Sequence, residues 1–293
     1  LVSKLAYGPR VAMTPLSLPL MHNVVPLVGG KSYFDWPQLP HHRYKGYSHV
    51  QRYDAVVFNF PAGDTVLAAF PGGQYTYYQA IEKFGYDSVM GGNVVMNYGE
   101  GPVRLGKPFV RPVDKRENYI KRCIGLPGED LQVINQVVYI NGKPIEAPTE
   151  SQTTYGLDFL PYTNYRKLLD NCGVSQEDID GLSYTGMVPL TVTMAERLKG
   201  VEDVTAVECL VEPADPKNGR TLFPFVEGNA QSVDNFGPVH IPAKGEVLQL
   251  TLENLPMFRR VIAVYEGNTL EVKDGKIYIN GTQTDSYTVK QDY

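Results

Sequence analysis

Short runs of alternating apolar and polar residues, punctuated by glycine and proline, dominate the chain. Asp54 to Phe60 sets Val56, Phe58 and Phe60 on one face and Val57 on the other, the period of a strand. Tyr119 to Ile124 has the same aromatic and β-branched character, and Gly125-Leu126-Pro127-Gly128 stops it with a tight turn. Extended structure resumes over Leu131 to Ile140, where Gln136 to Lys143 predicts a hairpin turning on Asn141-Gly142. Leu1 to Gly8 and Glu246 to Leu252 also read as strands. Helical spacing concentrates in the middle of the chain: Asn164 to Asn171, Gln176 to Leu182 with Ser175 as N-cap, and Thr193 to Lys199. A further short helix is predicted around Tyr77 to Phe84, and Asp215 to Gly219 reads as a loop.

One pattern occurs twice. Arg259 to Asn268 aligns with Lys121 to Glu129 if one extra residue is allowed, and Gly275 to Gly281 aligns with Gln136 to Gly142. A second strand–turn–hairpin unit is therefore expected, with Arg259 at the place of Lys121. Together the elements predict a mainly β protein, an antiparallel β-domain with an inserted α/β subdomain. Residues 1–148 form the β-domain core, with loop insertions at 9–50 and 62–110. Residues 149–254 form the inserted subdomain, and 255–293 return to the β-domain.

Composition narrows the classes. The 293 residues carry a net charge of −5 without an extended basic run, which excludes nucleic acid as a partner. Val11 to Gly30 lacks formal charge, but Pro15, Pro19 and Pro26 break it too often for a spanning helix. The surrounding segment to Pro40 reads as an arm packed on the sheet or, with Phe34, Trp36 and Leu39, as a patch against a bilayer. His41-His42 beside Arg43 reads as a solvated turn, because no acidic or cysteine partner has metal-ligand spacing. Three cysteines also lack that spacing, so no metal or cofactor is expected; a Cys172–Cys209 bridge is one arrangement an oxidising compartment allows. Asp178, Asp180 and His240 stand isolated and read as solvated or structural.

Lys121 is the residue that a structural strand does not explain. It shares a strand face with Tyr119 and Cys123. One reading is an edge-strand charge that blocks sheet-to-sheet aggregation. The other is an amine held against Tyr119 and Cys123 in a water-poor site, where it loses its proton and acts as a general base.

Asn118-Tyr119-Ile120-Lys121-Arg122-Cys123-Ile124-Gly125-Leu126-Pro127-Gly128-Glu129 resembles the lysine box of bacterial type I signal peptidases, the membrane-bound Ser/Lys proteases that remove leader peptides. Leu1 to Gly8 resembles the strand following that family's nucleophile, and Tyr53 to Phe58 resembles its Gly-Asp-Ile-Val-Val-Phe strand, with Tyr53 replacing the glycine. The resemblance implies a signal-peptidase β-domain on the extracytoplasmic side of the inner membrane, with signal peptides of exported preproteins and the lipid surface as partners. It implies Lys121 as general base, Asn118, Tyr119 and Ile120 as the edge along which the leader peptide adds a strand, and Ile120 with Val57 lining small side-chain pockets. Neither Ser3 nor Thr14 or Ser17 falls where the family's serine belongs, and the family's late Gly-Asp-Asn-Arg box is missing. Both ends read as cut, so the expectation is a fragment whose nucleophile lies upstream of Leu1 and which does not cleave by itself. Two alternatives stay open, a non-catalytic β-domain binding extended peptides and a self-cleaving Ser/Lys protease of repressor type.

Overall fold

The computed structural model describes residues 16, 18, 32–40, 48–59, 65–67, 80, 83–98, 101–116, 118–220 and 222–293. These fall into two compact units, Leu1–Ile124 and Gly125–Tyr293. Among the described residues strands outnumber helices and every strand pairing is antiparallel, which gives the β-rich fold expected from the alternation.

In the first unit the elements run β1 (Ala55–Asn59), β2 (Thr65–Leu67), α1 (Tyr86–Gly91), β3 (Val95–Tyr98), β4 (Gly101–Arg104), β5 (Pro108–Val110) and β6 (Asn118–Arg122). β1 pairs with β6, β2 with β5 and β3 with β4. Leu67, Ala80, Val89, Val94 and Leu105 are buried together, and Gly92 closes α1 in the left-handed conformation, φ 70°. The strand expected over 1–8 and the His41-His42 turn lie outside the described residues, as does most of the helix expected at 77–84. α1 begins beyond that helix and was not anticipated. Leu16 and Phe34 are joined by a backbone bond of 3.0 Å and Leu18 and Ser32 by one of 2.7 Å; Tyr33 turns inward beneath Lys115.

The second unit opens with β7 (Asp130–Ile134), β8 (Val137–Ile140) and β9 (Lys143–Pro144), the hairpin that Asn141-Gly142 announces. Its middle segment is β10 (Gln152–Phe159), α2 (Tyr165–Asn171), α3 (Gln176–Thr185), β11 (Met187–Thr191), α4 (Val192–Lys199) and β12 (Val204–Cys209). β10 lies between β11 and β12, and Leu169, Ile179, Val188, Leu190 and Leu198 form a core of their own. Ser175 caps α3 through Asp178 N–H at 3.2 Å, as its position predicts. Asp215 to Gly219 is tighter than a loop, a 3-10 turn over Pro216–Arg220.

Next come β13 (Phe236–His240), β14 (Val247–Gln249), α5 (Leu255–Arg260), β15 (Leu270–Lys273), β16 (Lys276–Ile279), β17 (Thr282–Gln283) and β18 (Ser286–Thr288). β13 extends the β7–β8–β9 sheet, and β15–β16–β17 repeat the first hairpin. The strand expected at Arg259 to Asn268 is not there. α5 runs instead into a π-helical turn, Val261–Tyr265. Leu255, Phe258 and Ile262 are buried at helical spacing, and that stripe overrides the strand preference of Val261-Ile262-Ala263-Val264. Glu266 fixes the end of the unit: its carboxylate accepts from Tyr287 OH and from Lys290 N–H at 2.8 Å. Burial would raise the Glu266 carboxyl, but those bonds outweigh it and hold it below the ordinary range, while burial beside Glu266 pushes Tyr287 up to about 12. Among the described residues no helix is long and apolar enough to cross a membrane.

His240 is not isolated. Its Nδ1 meets Asp130 at 2.7 Å and its Nε2 meets Glu246 at 2.7 Å. Burial alone would lower its pKa, but the bond to Asp130 and the charge of Glu246 outweigh it, so the pKa is raised. A raised folded-state value means the contribution is complete below the unfolded value near 6.5 and is lost as pH climbs through the folded one. Because Asp130 is well exposed, the effect is at most about 1 kcal/mol. Denaturant titrations at pH 6 and pH 8 should therefore show the chain more stable at the lower pH, with most of that difference gone in His240→Gln. An equal pH slope in both proteins would show that His240 is not its source.

Candidate active site

The candidate residues gather on one two-stranded ribbon, β1 with β6. The register sets Val56 opposite Lys121, Val57 opposite Ile120, Phe58 opposite Tyr119 and Asn59 opposite Asn118. Since side chains alternate, Lys121 and Tyr119 share a face with Val56 and Phe58, while Ile120 shares the other with Val57 and Asn118. The Phe58 and Tyr119 rings lie 6.5 Å apart, and Asn59 donates to Asn118 at 3.2 Å. All five predicted positions are thus brought together, but on two sides of the ribbon.

Among the described residues nothing supplies the water-poor setting expected for Lys121. Lys121 is exposed and Tyr119 is 38% exposed. Two neighbouring apolar rings supply a wall, and a strand of five residues with one described partner supplies too little cover to dry an amine. A cleft of about 360 Å³ in the second unit, lined by residues including Thr251, Lys276 and Asp285, contains none of the candidates.

What holds the ribbon is a bulge at Tyr53, which the sequence signals only as a departure from glycine. Tyr53 has φ 72°, a left-handed conformation that glycine adopts freely and tyrosine does not. Tyr53 N–H donates to Cys123 C=O at 2.7 Å, and Cys123 N–H donates to Asp54 C=O at 2.8 Å. Arg122 reaches Tyr53 C=O at 3.1 Å and Arg52 bonds Ile124 C=O. Two residues after Lys121, then, the strand is clamped by backbone and guanidinium bonds. Farther back, Arg111 is 2% exposed and its carbonyl accepts from Arg116 at 3.2 Å.

The three cysteines are free, so the Cys172–Cys209 bridge does not form. Cys209 instead donates to Gln136 at 3.1 Å, and Cys172 follows α2 in the middle segment's core. Asp178 supports the cap of α3, and Asp180 pairs with Arg166. These are structural roles.

Comparison with known proteins gives the class first: a domain of the signal-peptidase kind. Residues 2–179 match the family described as signal peptidase, peptidase S26, and the chain belongs to that family. Signal peptidase I of Rickettsia typhi is 46% identical over 63 residues, 22% of this chain and 24% of the relative. Signal peptidase I of Bacillus caldolyticus is 40% identical over 53 residues, 18% of this chain and 29% of the relative. That of Rickettsia akari is 44% identical over 63 residues, 22% of this chain and 23% of the relative. The match thus spans about a quarter of the length of these curated relatives. No solved structure matches the chain.

The bulge yields a test. Tyr53→Gly should keep the Cys123 amide protected from hydrogen exchange, because glycine suits the positive φ. Tyr53→Val should speed its exchange about tenfold, since a β-branched residue resists that conformation by about 1–2 kcal/mol. Equal protection in Tyr53→Val and the parent would mean that the bulge does not hold the ribbon.

Proposed function

We propose that this chain provides the general base and the peptide-binding strand of an endopeptidase that removes signal peptides from exported preproteins. Lys121 in the Asn118–Glu129 motif of a peptidase S26 member is the observation that carries the reading. In the proposed Ser/Lys dyad, the neutral Lys121 amine takes the proton of a serine hydroxyl as its oxygen attacks the scissile carbonyl. The resulting ammonium then gives that proton to the leaving amine. The extended leader lies along Asn118 to Ile120 as an added strand, and Ile120 and Val57, side by side on one face, receive its small side chains. A strand bound there also supplies the cover that Lys121 lacks, so substrate binding and drying of the base coincide. The 149–254 stretch is an insertion in this β-domain, since related hairpins precede and follow it.

Membrane association has its own support. Trp36 is 82% exposed and Phe34 67%, with Leu16, Leu18 and Leu39 also exposed in the same segment of the chain. An apolar surface of this kind suits the interfacial layer of a bilayer, and an extracytoplasmic site would meet leader peptides as they emerge.

Single-turnover cleavage of a preprotein by the product of the complete gene tests the mechanism. Lys121→Ala should lower the rate on the order of 10⁴- to 10⁶-fold. Lys121→Arg should fail equally, because a guanidinium keeps its proton. Arg259→Ala, in the helix that replaces the second strand, should stay within a few-fold of the parent, because the Arg259 guanidinium keeps its proton and supplies no base. Wild-type turnover by Lys121→Ala would leave Lys121 an edge-strand charge. Separately, Phe34→Ser with Trp36→Ser should reduce recovery of the chain with floated anionic vesicles; unchanged recovery would remove this surface from membrane contact.

A further inference from the structure

The second hairpin carries a bare edge where the first carries a strand. Along β7, Val239 of β13 lies opposite Leu131 and Phe236 opposite Val133. The hairpins themselves match closely: Leu131 pairs with Ile140, and Leu270 with Ile279. Asn141 and Asn280 each return a side-chain oxygen to the N–H that opens the hairpin, Asp130 at 2.8 Å and Thr269 at 2.9 Å. Asn280 N–H also donates to Thr269 C=O at 2.9 Å. Thr269 therefore faces β16 with its backbone groups, and by alternation Glu271 and Lys273 do the same. Leu270 and Val272 direct their N–H and C=O groups outward. In the first hairpin the matching residues are Leu131 and Val133, both of which β13 engages; among the described residues no strand pairs with the outer edge of β15.

Side chains decide which strand would fit. Val272, 48% exposed, stands between Glu271 and Lys273, where the covered hairpin has the uncharged Gln132 and Ile134. An edge guarded by charges of one sign repels a second copy of itself. This edge has one charge of each sign, placed symmetrically about Val272. Antiparallel pairing on a two-fold axis through Val272 would set Glu271 of each copy opposite Lys273 of the other. The two Val272 residues would then exchange reciprocal N–H···O=C bonds. In the single chain Glu271 and Lys273 meet each other at 2.5 Å, both well exposed, so pairing exchanges two internal contacts, one in each copy, for two between copies, and the charges set which strand fits without adding contacts.

We propose that the outer edge of β15 docks a second copy of this chain, strand to strand, with specificity set by Glu271 and Lys273. The inference is independent of the proposed peptidase mechanism. Four residues a side make a small contact, so the association belongs among weak ones and is best measured at a concentration on the order of 100 µM. By sedimentation at that concentration in low salt, the wild-type chain should show a reversible dimer. Glu271→Lys and Lys273→Glu should each weaken it about tenfold or more, because like charges then face one another. An equimolar mixture of the two variants should dimerise again, and so should the Glu271→Lys, Lys273→Glu double variant. Restoration on mixing also shows that neither variant has lost its fold. A monomeric wild-type chain would overturn the proposal and leave the Glu271–Lys273 pair a guard against association. A dimer indifferent to both reversals would place the contact elsewhere and overturn it equally.

Discussion

The register of β1 on β6 decides everything that the candidate site can do. A strand has a period of two, so a slip of one residue would carry Lys121 to the face now held by Ile120 and Val57. A five-residue ribbon has little packing with which to resist such a slip. The resistance comes from the bulge, where Tyr53 and Asp54 exchange backbone bonds with Cys123 while Arg122 and Arg52 bond carbonyls across the ribbon. Holding a tyrosine at positive φ costs about 1–2 kcal/mol. Those bonds offset it, and they sit at the end of β6 nearest Lys121.

In the second unit the constraint is local turn chemistry, and its reach is short. Asn141-Gly142 and Asn280-Gly281 all take positive φ, and both asparagines close their hairpins with the same side-chain bond. Nothing in such a turn dictates what precedes it. A tight turn and extended backbone lead into the first hairpin, a helix into the second, because burial of Leu255, Phe258 and Ile262 on one stripe outweighs the β-branched character of the residues between. Equivalent hairpins have different neighbours, β13 on one and, among the described residues, no strand on the other.

Features set by a few adjacent residues were legible in the sequence, and features set by distant ones were not. Ser175 could be read as a cap because the N–H it satisfies is three residues away, and Asn141-Gly142 as a turn for the same reason. The absence of a Cys172–Cys209 bridge could not be read, since it depends on where α2 and β12 place two side chains. His240 looked isolated because Asp130 lies in a strand far earlier in the chain. For the site, the strand that carries Lys121 was readable from its alternation, which also put Tyr119 on the face of Lys121. Its exposure was not, because the cover over a side chain is supplied by other parts of the molecule or by a ligand. Tyr53 lay between these cases: its departure from glycine was visible, but only the observed φ of 72° shows that a left-handed conformation is held there.

Charge pattern then separates the two strands that have been given binding roles. Lys121 and Arg122 are adjacent and both positive, so two copies of β6 laid together would bring four cations into one short ladder. A peptide without positive charge meets no such opposition, and by covering Lys121 it would remove water from the amine that the proposed chemistry requires to be neutral. β15 has the opposite arrangement. Glu271 and Lys273 cancel within one copy and complement each other between two, so a second β15 is favoured there over a strand of single charge. Backbone bonding is the same along any strand edge and cannot discriminate between partners. Two or three charged side chains can, and they distinguish the partners proposed for β6 and β15.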